Sequence, residues 1–266
     1  MNFDFIITFC LPVLAGSIYF FMAFETKRIS KFRSIMFGEI AFKKIELAFI
    51  MFGIYFITRP LQNILVWHPL PLMINCARQF FLMAIIAPSI LVAIFHWVPM
   101  SGGIPRSTKF AAYIIGGLMG IIFFLLDSIA ISGLGVSSSW EIVNVYDLIW
   151  VQSGTPIIQI VFIHLICQFV SPMGFLLLAA AYVRHKRHNY QYADVYNLIP
   201  TKWKYLEISL IIFAASFFSA GIAAIFGTYR TYPYIWSIYF IGAILSGIFE
   251  LISIKLPPRE APSDLK

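Results

Sequence analysis

Arg59, Arg78 and Asp127 each stand inside a long apolar run. An ionisable side chain there costs about 2.5–3.5 kcal/mol on insertion scales, and it ordinarily lines a cavity or pairs with a partner. A guanidinium can hold a carboxylate or phosphate through two parallel hydrogen bonds. Two arginines facing one aspartate leave a positive surplus, which suits a small anionic ligand. Gln62, Asn63, His68, Asn75 and Gln79 add amide and imidazole groups at similar depth. Arg59 and Gln62 are three residues apart, as are Asn75 and Arg78, so each pair shares a helical face. The same set allows a structural reading in which an Arg–Asp bridge fastens three helices and the amides satisfy leftover lone pairs. The two readings are compatible.

A second polar series, Gln159, His164 and Gln168, steps inward along one later apolar run and could form a relay. A histidine at mid-bilayer can act as a proton switch; a neutral imidazole bonded to a neighbouring helix is the commoner arrangement. Pro60 and Pro88 lie within two of the runs, where each removes a backbone donor and bends the helix. Glu46 and Glu250, near the inner ends of their runs, could face cytoplasmic lysines, and His96, His185 and His188 read as solvated. Cys10, Cys76 and Cys167 all fall in apolar runs without metal-ligand spacing and read as small buried hydrophobes.

No catalytic signature accompanies these residues. The chain lacks H-E-x-x-H, G-x-S-x-G, a paired D-x-x-x-D and a phosphate loop, so no reaction class is indicated. No cofactor is expected either.

The elements that must position these groups follow from composition and charge. At 266 residues, 60% hydrophobic and 12% charged, with mean hydropathy +0.85, the chain departs from soluble domains, which are about 25% charged and 45–50% apolar. A helix needs about 20 apolar residues to cross a bilayer. The spacing predicts spans at about 4–24, 46–66, 73–98, 110–133, 156–183, 206–227 and 234–255, with 1–255 forming one membrane domain.

Apart from Arg59, Arg78 and Arg230, every Lys and Arg falls between spans 1 and 2, between 3 and 4, between 5 and 6, or in the tail. The positive-inside rule then places the N-terminus outside and the C-terminus in the cytoplasm. This predicts an all-α membrane protein, a seven-transmembrane-helix bundle. The net charge of +7 suits loops beside anionic lipid, so the bilayer is the expected partner and direct contact with nucleic acid is not.

Three connections carry further expectations. Lys31–Lys44 mixes apolar residues with cations and predicts an amphipathic segment in the headgroup plane. Arg184–Tyr205 places tyrosines beside cations and reads as an interfacial anchor or a docking surface. In Leu134–Thr155, Ser138 and Glu141 have capping-box spacing, which predicts a short interfacial helix over the outer mouth; the richness in β-formers leaves a hairpin as the alternative. The polar, proline-rich tail, 256–266, has linker composition. It is either the end of a small membrane protein or the point where an output domain would follow Lys266.

Seven helices with an outside N-terminus resemble rhodopsins and G-protein-coupled receptors in plan, yet their marks are absent. The only lysine of the seventh span, Lys255, is at its inner end, which excludes a mid-helix retinal lysine. His96-Trp97-Val98-Pro99 and Gly247-Ile248-Phe249-Glu250 stand where the receptor motifs would be. In helix count, topology, length and linker-like tail the chain resembles the seven-helix sensor modules of bacterial signalling proteins. That architectural likeness implies a bacterial inner membrane and a cytoplasmic output domain or partner. The expectation is a sensory module binding a small anion from outside near Arg59, Arg78 and Asp127. The alternatives are a transporter or channel subunit with a polar path through helices 2–5, and a structural scaffold.

Overall fold

Prolines and glycines decide where this helical chain bends and where its helices touch. The computed structural model describes residues 6–37, 39–64, 70–97, 105–131, 139–142, 150–153, 165–190, 198–226 and 233–255. Helix α1 is Leu11–Phe37, preceded by a π-helical turn at Ile6–Cys10; α2 is Glu39–Ile64. Helix α3 runs through Leu70–Phe81, a π turn at Leu82–Ile86, and Ala87–Trp97. Helix α4 is Arg106–Ile131. Helix α5 includes a π turn at Phe169–Met173 followed by Gly174–Tyr190. Helices α6, Leu198–Phe226, and α7, Pro233–Lys255, complete the bundle.

Five stretches among the described residues are long and apolar enough to cross a bilayer: Ala77–His96, Arg106–Leu125, Leu165–His188, Thr201–Ala220 and Ser237–Lys255. Large apolar side chains such as Phe24, Leu47, Phe110, Leu118, Leu178 and Ile238 face outward. In water so much exposed apolar surface would drive association; in lipid it is the matched surface. The chain is a helical integral membrane protein.

Six helices form a ring. α1 packs between α2 and α7, α6 packs on both α7 and α5, and α3 closes the ring against α2 and α5. α4 stands outside, held mainly by α3. Lipid tails are as apolar as leucine, so association in the bilayer rests on close packing. Gly116 shows it: a Cβ there would lie 2.5 Å from the Met83 carbonyl oxygen and 2.6 Å from the Pro88 ring. On the far side of the ring a Cβ at Gly242 would collide with the Ser216 hydroxyl.

Both π turns have a proline behind them. Pro88 and Pro172 lack the N–H that would continue the α-helical ladder, and the chain widens locally instead. Ala87 N–H donates to the Leu82 carbonyl, and Gly174 N–H reaches the Phe169 carbonyl, both five-residue steps. The Met83 carbonyl thereby loses its usual donor, and the Ser171 hydroxyl takes that place at 2.8 Å.

The centre of the ring is aromatic. Tyr19 stacks on Phe56 at 5.6 Å and Phe213 lies 4.8 Å from Phe52. Phe56 also meets Tyr239 and Phe240. These rings come from α1, α2, α6 and α7 and form one layer across the core.

Ion pairs gather at one end. Glu25 holds Arg28 at 2.8 Å and Lys255 at 3.4 Å, and Glu207 holds Arg187 at 3.0 Å. Lys44, Lys109 and His96 also lie close together, and burial followed by Lys109 pushes the Lys44 amine below the usual lysine range.

Three sequence expectations are corrected here. The Lys31–Lys44 connection is no separate element: α1 continues to Phe37, α2 begins at Glu39, and Phe42 is buried in the bundle. Residues Ser139–Ile142 (β1) pair antiparallel with Trp150–Ser153 (β2), so the capping-box spacing at Ser138–Glu141 opens no helix. The tryptophans and β-branched residues of these segments suit paired strands. His96, expected to be solvated, has Nε2 buried without a hydrogen-bond partner among the described residues. The tail and the 191–197 connection lie outside the described residues.

Candidate functional site

Arg78 is the organising residue. It lies on α3 one turn before the π turn and is 7% exposed. Its Nη2 donates to the Tyr55 carbonyl at 2.7 Å, and its Nε reaches the same carbonyl at 3.2 Å and Thr58 Oγ1 at 3.0 Å. The guanidinium also lies over the Tyr55 ring, 4.5 Å from its centroid. Thr58 in turn donates to the Ile54 carbonyl at 2.8 Å. The clamp that joins α3 to α2 is therefore guanidinium to backbone and ring, with the low-dielectric surroundings strengthening each contact.

Beside the clamp is a cavity of about 30 Å³ lined by Tyr55, Arg59, Arg78, Gln79, Leu82, Gln168, Phe217, Ala220, Tyr239 and Phe240. Five helices contribute to it. Arg59 follows Thr58 on α2, one residue before Pro60; Gln79 follows Arg78; Leu82 and Gln168 border the two π turns. Tyr239 from α7 brings its hydroxyl to 3.5 Å from that of Tyr55 and lies in the field of both arginines. No carboxylate lines the cavity among the described residues. A water needs about 10–15 Å³ of such space, so the volume suits one or two waters or one small anion.

The Gln168 carboxamide oxygen is buried and has no partner among the described residues. A buried amide left unsatisfied costs about 1–3 kcal/mol, which an occupant bonded to it would recover. With two guanidinium groups beside it, the cavity is chemically suited to bind a negative charge or polarised water.

Of the residues expected from the sequence, the structure brings together Arg59, Arg78 and Gln79, and it adds Gln168 from the second polar series. The side chains of Gln62, Asn63, Asn75 and Asp127 lie outside the described residues, as do His68, Gln159 and His164 entirely. Tyr55 and Tyr239 were not anticipated. Their signal was positional: Tyr55 is four residues before Arg59, on the same helical face.

A second cavity of about 30 Å³ lies on the other side of the aromatic layer, lined by Phe49, Phe52, Ile90, Leu176, Phe213 and Glu250 among others. Glu250 was expected to face cytoplasmic lysines; it is instead 6% exposed within the bundle, and no cation pairs with it among the described residues. Phe52 and Phe213 belong both to this cavity and to the aromatic layer.

No family model, curated protein or solved structure matches the chain.

Proposed function

We propose that the chain is the sensory module of a membrane signalling protein, with seven crossings and its N-terminus outside a bacterial plasma membrane. A small anion entering from the Arg59 side would occupy the cavity between α2, α3, α5, α6 and α7. Its binding would favour one arrangement of α5–α7, passed to a cytoplasmic output domain or partner through the Arg184–Tyr205 connection and the tail. Such coupling requires two bundle states that bind the anion differently.

One observation carries the reading: Arg59 and Arg78, from different helices, line one cavity together with Gln168. The end that carries the Glu25, Glu207 and Lys44 groups is the opposite one, in keeping with a cytoplasmic face there. A scaffold role accounts for the Arg78 clamp but not for Arg59 and Gln168 turning to the same space. A transport path is disfavoured because Tyr19, Phe52, Phe56 and Phe213 close the ring between the two cavities.

The test is thermal unfolding of the purified chain in chloride, nitrate, phosphate and acetate at fixed ionic strength. An anion at a hundred times its Kd stabilises by about 2.7 kcal/mol. At least one anion is expected to raise the wild-type midpoint, and Arg59→Gln is expected to remove that shift while folding normally. An equal shift in both proteins, or none with any anion, would refute the proposal.

A further inference from the structure

The second cavity carries an inference independent of the anion reading. Glu250 on α7 is 6% exposed and lines this cavity, with Ser209 of α6 beside it and Ser246 one turn back on its own helix. Ser209 Oγ and Ser246 Oγ are 3.0 Å apart, and either can donate. The Ser246 hydroxyl lies within hydrogen-bonding reach of Tyr19, and the Tyr19 hydroxyl donates to the Ala243 carbonyl at 3.3 Å. We infer that Glu250 is a proton-binding site, occupied when the bundle has the arrangement described here.

Burial in a largely apolar wall favours the neutral acid, and the hydroxyls beside it can accept a hydrogen bond from it. A carboxylate only accepts; a carboxyl also has one O–H to give. With the proton in place, Glu250 donates to Ser209, Ser209 to Ser246, Ser246 to Tyr19, and Tyr19 to the Ala243 carbonyl. Every hydroxyl then gives once in the same direction, and the chain ends on a backbone acceptor. With the proton gone, Ser209 must turn toward Glu250. Ser246 can then donate to Ser209 and Tyr19 to Ser246, and the bond to the Ala243 carbonyl is lost. The ionised form also leaves a negative charge that no cation pairs among the described residues, against a largely apolar cavity. Uptake is a simple transfer: one aqueous proton adds to one carboxylate oxygen, and nothing is oxidised or displaced.

Several titratable groups on the surrounding elements are engaged elsewhere. From α1, Tyr19 ends the chain, and Glu25 is held by Arg28 and Lys255. From α6, Glu207 is held by Arg187 and Arg184. Lys44 of α2 and His96 of α3 belong with Lys109, and the residues that α2, α3 and α5 place on the cavity are all apolar. A hard metal cation requires several oxygen ligands, which this mostly hydrocarbon wall does not offer; a proton requires one. Glu250 lies five residues, about 7.5 Å along the helix, from Lys255, so exchange with the ion-paired end is short.

The experiment is infrared difference spectroscopy of the full chain in phosphatidylcholine vesicles. At neutral pH the wild type is expected to show a protonated-carboxyl C=O band that shifts in heavy water and disappears in alkali. Glu250→Gln should lose that band. Ser209→Ala should keep it but move it to higher frequency, because the carboxyl loses its acceptor. Identical carboxyl bands in wild type and Glu250→Gln would overturn the inference, and so would replacement of the band on adding sodium in place of choline. If Glu250→Gln does not accumulate, Ser209→Ala decides: an unmoved band excludes Glu250.

Discussion

The Ser171 hydroxyl on α5 donates to the Met83 carbonyl on α3 at 2.8 Å, so that the two proline-induced π turns are joined by a single hydrogen bond. Each turn frees backbone that hydrocarbon cannot satisfy, and the two lie against each other. Ser171→Ala leaves the Met83 carbonyl buried without its hydroxyl donor. A loss of about 1–3 kcal/mol is expected, measured by steric-trap or denaturant unfolding in bicelles, with Ser171→Thr retaining most of the stability.

Arg78 is expected to be structurally intolerant. Arg78→Ala removes three hydrogen bonds and the contact over the Tyr55 ring, and a hydrogen bond to a charged group is worth about 1.5–3 kcal/mol. Arg78→Lys keeps the charge but cannot reproduce the planar fork, so it should recover only part of the loss. Thermal unfolding of the three proteins in one detergent checks the order, and equal midpoints for Arg78→Ala and wild type would refute the clamp.

Gly116 and Gly117 are neighbours with opposite expectations. Alanine at 116 meets the Met83 carbonyl and the Pro88 ring, whereas alanine at 117 meets nothing within 4 Å. Overpacking costs about 1–3 kcal/mol, so Gly116→Ala should loosen α4 and lower the unfolding midpoint. Gly117→Ala should be neutral or gain up to about 1 kcal/mol from helix propensity.

Phe56 is fully buried in the aromatic layer. Truncation of such a ring costs about 3–5 kcal/mol, and Phe56→Ala should also connect the two cavities. Proton or anion leak into vesicles, measured with an internal dye, is expected to be absent in wild type and present in the variant. A tight Phe56→Ala would mean that other rings suffice to seal the layer.

Some of this was legible from the residues alone. Arg59 and Arg78 stood out because charge within an apolar run is costly wherever the helices pack. Their meeting with Gln168 was not legible, because the register of α5 against α3 depends on where Pro88 and Pro172 widen the chain. Glu250 lies near a lysine-rich end, and linear proximity to cations does not report exposure. The stripe Tyr239–Ala243–Ser246–Glu250 follows the helical period and would have placed it inward. The pairing of Ser139–Ile142 with Trp150–Ser153 follows the β-forming content of these segments, which outweighs a capping pattern of two residues.

The outward side of α4 presents Phe110, Ile114, Leu118, Ile121 and Leu125 to its surroundings, while its inward stripe is pared down to Gly116 and Gly120 beside Phe123. Acyl chains are fluid and fit any apolar shape, so Leu, Ile, Val and Phe can be exchanged along the first side at small cost. The second side tolerates almost nothing. In a mutational scan, tolerance along this one helix should rise and fall every three to four positions, and that rhythm would report which way α4 is turned.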